Sequence, residues 1–522
     1  MPGVGGQISG MAIFEVILSF LLAGVALTLL APRLGLPWPA VLAVAGTGLA
    51  FIPGVPMVPL DPALALALFF SPVLLDAAYD TSPQALRENW RPVGSLVVVA
   101  VVITVAAVAL VARALVPDMP WAAAIALGAI VAPPDAAAAT SVLKQVRLPR
   151  RLVLILEGES LLNDASVLLI YQAAVQAVSG GVTIWTLPLL ALGAMAGILI
   201  GYGLARAYLA MAARFIGDSH LAAGVLLQFI CTFGVWILAE ELKLSAVLTV
   251  VAYGMTIGRL SRGRMGPRER RLNFAVWEVV VFALNVMAFL LTGLQIRVIL
   301  GELQAPWRSA ALALAVLAVC IVVRLAWVML YTMTVREVRR RRGPKARASM
   351  RQLTPQTALV VGWAGMRGIV TLGAALALPA SFPHRDLIQL VAFAVVLGTL
   401  GFQGLTLRPL IERLTLPADT SGDDEARARA EAAQAALDSL GEERGTKAGQ
   451  VLAQQYERRL AEGGHAIEAT ALMQLQERAF IAERARIYDL HREGALGDDI
   501  YVELEEELDW AEAALGRPKK AG

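Results

Sequence analysis

Long apolar runs, separated by short polar connections, dominate this chain. A helix needs about 20 mostly apolar residues to cross the hydrocarbon core of a bilayer. Thirteen runs reach or approach that length, at 11–31, 37–54, 60–79, 92–115, 120–142, 151–178, 184–212, 219–240, 244–259, 273–298, 308–335, 356–380 and 386–411. The ninth is the shortest, at 16 residues. The charge of the connections tests that count, because cytoplasmic loops collect Lys and Arg. The basic connections are Lys144–Arg151, Arg259–Arg271 and Arg336–Arg351; they follow spans five, nine and eleven and so share one face. Val116–Pro120, Ser179–Thr183 and Gly301–Trp307 follow spans four, six and ten, carry no Lys or Arg, and share the other face. The pattern predicts an outside N-terminus, thirteen spans and a cytoplasmic C-terminal tail.

Composition supports a membrane protein. Only 17% of the 522 residues are charged and 57% are apolar, against about 25% charged in ordinary soluble domains. The net charge of +3 conceals a division near residue 416. Before it lie 32 Lys and Arg against 19 Asp and Glu; after it lie 13 against 23. Residues 1–415 therefore read as a basic transmembrane domain and 416–522 as an acidic cytoplasmic tail. Good helix formers predict tail helices at 424–440, 446–462, 466–492 and 498–515, divided by Gly441, Gly463-Gly464 and Gly494. The tail reads either as a regulatory or dimer-supporting domain or as a solvated acidic coil. The basic residues form short clusters between apolar runs, which excludes nucleic acid as a partner. The Arg336–Arg351 cluster reads as an anionic-lipid contact or simply as the positive-inside signal. Cys231 and Cys320 lie inside apolar runs and offer neither a disulfide framework nor a metal site. The N-terminus lacks the basic start of a cleavable signal peptide.

Ionisable side chains are costly in a membrane and by default mark a transport path. Those deep in spans are Asp76, Asp135, Glu157, Glu159, Asp164, Glu278, Arg324 and Arg367. Glu15 and Arg297 lie near span ends, where snorkelling accounts for them. Glu278 reads equally as a vestibule residue or a solvated face. The densest cluster is Glu157-Gly-Glu-Ser-Leu-Leu-Asn-Asp164 in span six. Helical residues four apart share a face, which pairs Ser160 with Asp164 and Glu159 with Asn163. The two pairs lie about 100° apart around the axis. Oxygen-only ligands of this kind suit hard cations.

Two spans carry interruptions. Val131-Ala-Pro-Pro-Asp135 in span five removes two backbone donors, and such breaks survive at membrane depth only in protein or beside a cavity. Gly362-Trp-Ala-Gly-Met-Arg-Gly368 in span twelve sets three glycines around Arg367. Spans one to six and eight to thirteen read as two inverted six-helix repeats, so both breaks fall on the fifth helix of a repeat. Paired broken helices of that kind point to a transporter's central site.

The same residues resemble the monovalent cation:proton antiporters of the NhaP/NHE branch. The motifs are Phe70-Ser-Pro-Val-Leu-Leu-Asp-Ala-Ala78, Ala132-Pro-Pro-Asp135, Gly158-Glu-Ser-Leu-Leu-Asn-Asp164 and Gly365-Met-Arg-Gly-Ile-Val-Thr371, in order on the expected spans. The resemblance covers residues 11–411, and Arg484–Glu493 in the tail is similar to bacterial members. It implies an all-α polytopic fold in which spans 4–6 and 11–13 form a mobile core and spans 1–3 and 8–10 a homodimer bundle. It implies that Asp164 binds cation and proton in turn, with Na+ held among Asp135, Ser160 and Asp164. Asn163 stands where electrogenic relatives carry a first aspartate. Glu159 and Arg367 are implied to form a buried ion pair, and Asp76 takes a position usually held by glutamate. Pro134 replaces the threonine of many members and leaves only a carbonyl there. No cofactor is implied beyond the transported Na+, Li+ or K+ and H+, and the implied location is the bacterial inner membrane.

Function classes can be weighed on the residues. An organic-anion carrier, the alternative on the same plan, favours basic or neutral polar groups at the midplane, whereas this centre holds Asp135, Glu159 and Asp164. No channel filter and no G-x-x-x-x-G-K-[ST] nucleotide loop occurs, and a sensor needs no such acidic centre. The sequence reads as an antiporter rather than an enzyme.

Overall fold

The computed structural model describes residues 10–34, 36–52, 64, 66–135, 139–140, 143, 150–178, 180, 186–215, 221–261, 267–297, 306–341, 354–414, 421–462 and 466–493, together with 500, 504, 507, 508 and 511. The chain forms two units, Met1–Pro417 and Ala418–Gly522. Every described element is helical. The first unit opens with α1 (Gly10–Leu30) and α2 (Trp38–Ala50), then a π-helical turn, Leu66–Phe70, that runs into α3 (Ser71–Asp80). Short helices α4 (Pro83–Glu88) and α5 (Trp90–Gly94) lead through a second π turn, Ser95–Ala100, into α6 (Val101–Leu115). Next come α7 (Trp121–Val131), α8 (Arg150–Val178), α9 (Thr186–Phe215), α10 (Leu221–Glu241), α11 (Ala246–Ser261), α12 (Pro267–Leu294) and α13 (Pro306–Arg341). The unit closes with α14 (Pro355–Trp363), α15 (Ile369–Leu376), α16 (Arg385–Gly398), a third π turn, Thr399–Gln403, and α17 (Gly404–Arg413). The second unit contains α18 (Ser421–Ser439), α19 (Lys447–Glu462) and α20 (Ala466–Arg492). Most of the predicted helix 498–515, and much of each basic connection, lies outside the described residues.

Among the described residues, seven helical stretches are long and apolar enough to cross a membrane, and three shorter apolar helices are α2, α7 and α11. The start of the predicted run at 60–79 lies outside the described residues; elsewhere the difference from thirteen has physical causes. The run at 37–54 yields a helix of only 13 residues, and α7 stops at Val131, before the two prolines. The run at 356–380 divides into α14 and α15. Helix α8 is 29 residues long but dilutes its apolar character with Glu157, Glu159 and Asp164. Large apolar side chains face outward along the long helices; Leu22, Leu199 and Phe215 are each about 70% exposed. Exposed apolar surface on that scale needs a lipid covering, and the chain is a multi-pass membrane protein.

Lipid removes the hydrophobic drive between helices, so close approach depends on small residues. Where α2 crosses α12, Gly46 and Gly293 face each other: a Cβ on Gly293 would lie 2.6 Å from the Ala43 carbonyl oxygen. Helix α8 sits centrally, in contact with α3, α4, α7, α11 and α14. The two interrupted segments meet beside it, and the Asp135 amide donates to the Met366 carbonyl at 2.7 Å. Prolines 133 and 134 withhold the donors that would continue α7, while Ala364–Gly368 runs between α14 and α15 without helical structure.

Candidate functional site

A cavity of about 550 Å3 opens among α3, α8 and α12 and reaches both the α7 break and the start of α15. Six carboxylates line it: Asp76, Asp80, Asp135, Glu157, Asp164 and Glu278. Among its described lining residues there is no Lys, Arg or His. Exposure falls inward: Asp80 and Glu278 are exposed, Asp76, Glu157 and Ser160 are half-buried, and Asp164 is 4% exposed. Glu278 is thus a vestibule residue that also meets solvent. Asp164 is the most buried of the six, and its Oδ1 has no hydrogen-bond partner among the described residues.

Helix α8 presents two faces with different tasks. Glu157, Ser160, Leu161 and Asp164 share the stripe that lines the cavity. Glu159 and Asn163 occupy the neighbouring stripe, where Glu159 is fully buried and Asn163 donates from Nδ2 to Glu159 Oε1 at 3.3 Å. Facing Glu159 is Arg324 of α13, which grips both carboxylate oxygens; Nη2 lies 2.8 Å from Oε2 and also donates to the Val361 carbonyl at 3.1 Å. This corrects the expected partnership of Glu159 with Arg367. A fully buried carboxylate needs a fork of donors at close range, and it is α13 that brings one.

Arg367 has another role. Its Nε donates to the Val131 carbonyl at 3.0 Å, and its Nη1 donates to the Gly365 carbonyl. Its own amide donates to Thr399 Oγ1 at 3.0 Å. Val131 ends α7, so a cation sits at the negative end of a truncated helix, where orphan carbonyls otherwise lack partners. Asp135 is the converse: its Oδ2 accepts from the Ile369 amide at 3.3 Å, at the positive start of α15. The two breaks therefore exchange an arginine and an aspartate across the crossing. Pro134 is buried in that crossing. Sequence reasoning flagged Arg324 as a charge at depth but gave it no partner, and it missed Thr399 altogether.

The crossing demands glycine at one point. A Cβ on Gly368 would overlap the Asp135 carboxylate, whereas one on Gly48 meets nothing within 4 Å. Gly368→Ala is expected to lower stability by about 1–3 kcal/mol through overpacking. Gly48→Ala, in α2, should leave stability unchanged or raise it slightly. Thermal unfolding of the two variants in detergent checks the contrast.

An acid-lined cavity that reaches a buried carboxylate beside two crossing helix ends has the plan of a transporter's central site. The pattern of the family described as "Sodium/hydrogen exchanger, transmembrane" matches residues 17–413. An uncharacterized Na(+)/H(+) exchanger of Mycobacterium tuberculosis is 31% identical over 557 aligned residues, covering 99% of this chain and 98% of the relative. The low-affinity Na(+)/H(+) antiporter NhaS1 of Synechocystis is 30% identical, covering 78% of this chain and 75% of its own. In fold, the chain is similar to the sodium proton antiporter MjNhaP1 of Methanocaldococcus jannaschii. The TM-score is 0.60 at 18% identity, covering 77% of this chain and 99% of that one. The chain belongs to the sodium/hydrogen exchanger family.

Proposed function

We propose that the protein is a secondary antiporter exchanging Na+, or Li+ or K+, for H+ across a bacterial inner membrane. The observation that carries this reading is the acidic cavity that reaches Asp164, with Ser160 on the same stripe and Asp135 across from it. A carboxylate holds either a proton or a cation, and competition for one site couples the two fluxes without a separate gate. Alternating access would present that site to each side in turn. The absence of any described basic residue from the cavity lining supports a cation rather than an organic anion as cargo.

The reading extends to topology and stoichiometry. The charge of the connections supports thirteen spans in two inverted repeats, an outside N-terminus, a cytoplasmic tail and a cavity opening to the cytoplasm. Spans 1–3 and 8–10 would form the homodimer bundle. Asn163 cannot titrate and is engaged with Glu159, while Glu159 is neutralised by Arg324. Asp135, the remaining carboxylate of the site, is engaged by the Ile369 amide and acts with Asp164 as one coupled pair; the pair then exchanges one proton for one cation, and exchange is electroneutral. An uncompensated charge would respond by about 2.3 kcal/mol per 100 mV. The test uses purified protein in liposomes with a pH-sensitive dye, challenged with Li+, Na+, K+ and choline in turn. Li+, Na+ or K+, but not choline, should move protons. The Na+ gradient at equilibrium should stay fixed when the potential is clamped at several values by K+ and valinomycin. Proton movement with choline would refute cation exchange, and a potential-dependent equilibrium would refute one-for-one coupling.

A further inference from the structure

We infer that Asn285 of α12 is a cation ligand on the wall opposite Asp164, engaging the ion only while the site faces this cavity. The inference rests on the antiport reading above and adds a ligand from outside the α7–α8 cluster.

Two helices line the cavity with the same register. On α8 the lining residues are Glu157, Ser160, Leu161 and Asp164; on α12 they are Glu278, Val281, Phe282 and Asn285. Each set follows the i, i+3, i+4, i+7 spacing of one helical face. Each begins with a glutamate and, about 10 Å further along, ends with a buried oxygen-bearing side chain. Exposure falls the same way on both: Glu278 is exposed, Val281 and Phe282 are half-buried, and Asn285 is 5% exposed. Asn285 is therefore buried to nearly the same degree as Asp164 while lining the same cavity.

Its hydrogen bonding is incomplete in the same way. Asn285 Oδ1, like Asp164 Oδ1, is buried without a hydrogen-bond partner among the described residues. A buried amide oxygen left unpaired costs about 1–3 kcal/mol, and a polar side chain retained at that cost suits a ligand that comes and goes. The cation has use for it. Hard cations gather several oxygen ligands, yet among the described residues no three His, Cys, Asp or Glu side chains converge as a metal site would require. Neutral oxygens must complete the shell, and Ser160 with Asn285 supplies one from each wall. Rotation about χ2, which is broad for asparagine, would turn Oδ1 toward the ion.

A ligand on the opposite wall has a signature that a core ligand lacks. If α8 moves relative to α12 when the site turns to the other side, Asn285 acts on one side of the membrane only. The test compares Asn285→Leu, Asn285→Ser and wild type in inside-out and right-side-out membrane vesicles, with added Na+ titrated and proton movement read by a dye. Asn285→Leu should raise the half-maximal Na+ concentration about tenfold in inside-out vesicles, the loss of about 1.4 kcal/mol. It should shift that concentration less than about twofold in right-side-out vesicles. Asn285→Ser, which keeps an oxygen, should recover part of the affinity. A shift of equal size in both vesicle types, or none in either, would overturn the proposal. If Asn285→Leu fails to fold, as read by detergent-extracted yield and melting, the inside-out titration of Asn285→Ser decides: no weakening there overturns it. Wild type runs alongside, and absence of exchange in wild type would strike the antiport reading rather than this ligand.

Discussion

Asp164→Asn is expected to abolish cation-driven proton movement in liposomes, down to the level of protein-free vesicles, while the protein remains folded. The amide keeps the size and much of the hydrogen-bonding capacity of the carboxylate but cannot exchange a proton or carry the charge that attracts a cation. Asp164 Oδ1 has no hydrogen-bond partner among the described residues, so the substitution removes no hydrogen bond at that oxygen. A buried charge carries a desolvation cost, so replacing the carboxylate by an amide should leave thermal stability unchanged or raise it. Loss of activity combined with loss of folding would assign Asp164 a structural role instead. Robust proton release from the folded variant would remove it from the transport cycle.

The second large effect concerns stability. Glu159 and Arg324 are buried, with side chains 1% and 5% exposed, and their pairing ties α8 to α13 and, through the Val361 carbonyl, to α14. Removing one partner of a buried pair strands a charge and typically costs about 3–5 kcal/mol. Glu159→Ala and Arg324→Ala should each reduce thermal stability and yield sharply. The double variant should recover part of the loss, because neither charge is then left alone. A double-mutant cycle reads the interaction directly. The coupling for Glu159 with Arg324 should exceed that for Glu159 with Arg367, which binds carbonyls and not the carboxylate. The reverse order would contradict the geometry. Arg324→Lys should also destabilise, since a single ammonium cannot reproduce a two-pronged grip.

Much of this could be read from the chain before any coordinates, for identifiable reasons. Helical period alone separated Ser160 and Asp164 from Glu159 and Asn163, and the structure turns the first pair to the cavity and the second into protein. Proline chemistry marked the end of α7 at Val131. The tail helices α18, α19 and α20 fall within three residues of the predicted limits, because Gly441 and Gly463-Gly464 punctuate a strongly helical composition. What the sequence could not supply was partnership across distant segments. Glu159 and Arg324 are separated by 165 positions, and nothing local says which of two buried arginines the carboxylate meets. Nor could it show that Arg367 caps carbonyls, since a capping arginine and a pairing arginine look alike in a line of letters. Hydropathy marked the runs at 37–54 and 356–380 but not their internal form, a 13-residue α2 and the separate α14 and α15, because a spanning segment need not be one helix. Asn285 drew no notice because an uncharged amide in an apolar run is common, and only its place on the cavity stripe singles it out.

The most direct test of the shared carboxylate is the number of protons released when one cation binds. Purified wild-type protein in detergent would be titrated with Na+ by calorimetry, in two buffers of the same pH but different ionisation enthalpy. The titration would be repeated over a series of pH values. Competition at Asp164 predicts that the binding heat changes with the buffer by an amount equal to about one proton released per Na+ bound, with apparent affinity falling as pH is lowered. Asp164→Asn should show neither the Na+ binding nor the buffer-dependent heat. Saturable Na+ binding to wild type with the same heat in both buffers, at every pH tried, would contradict the account.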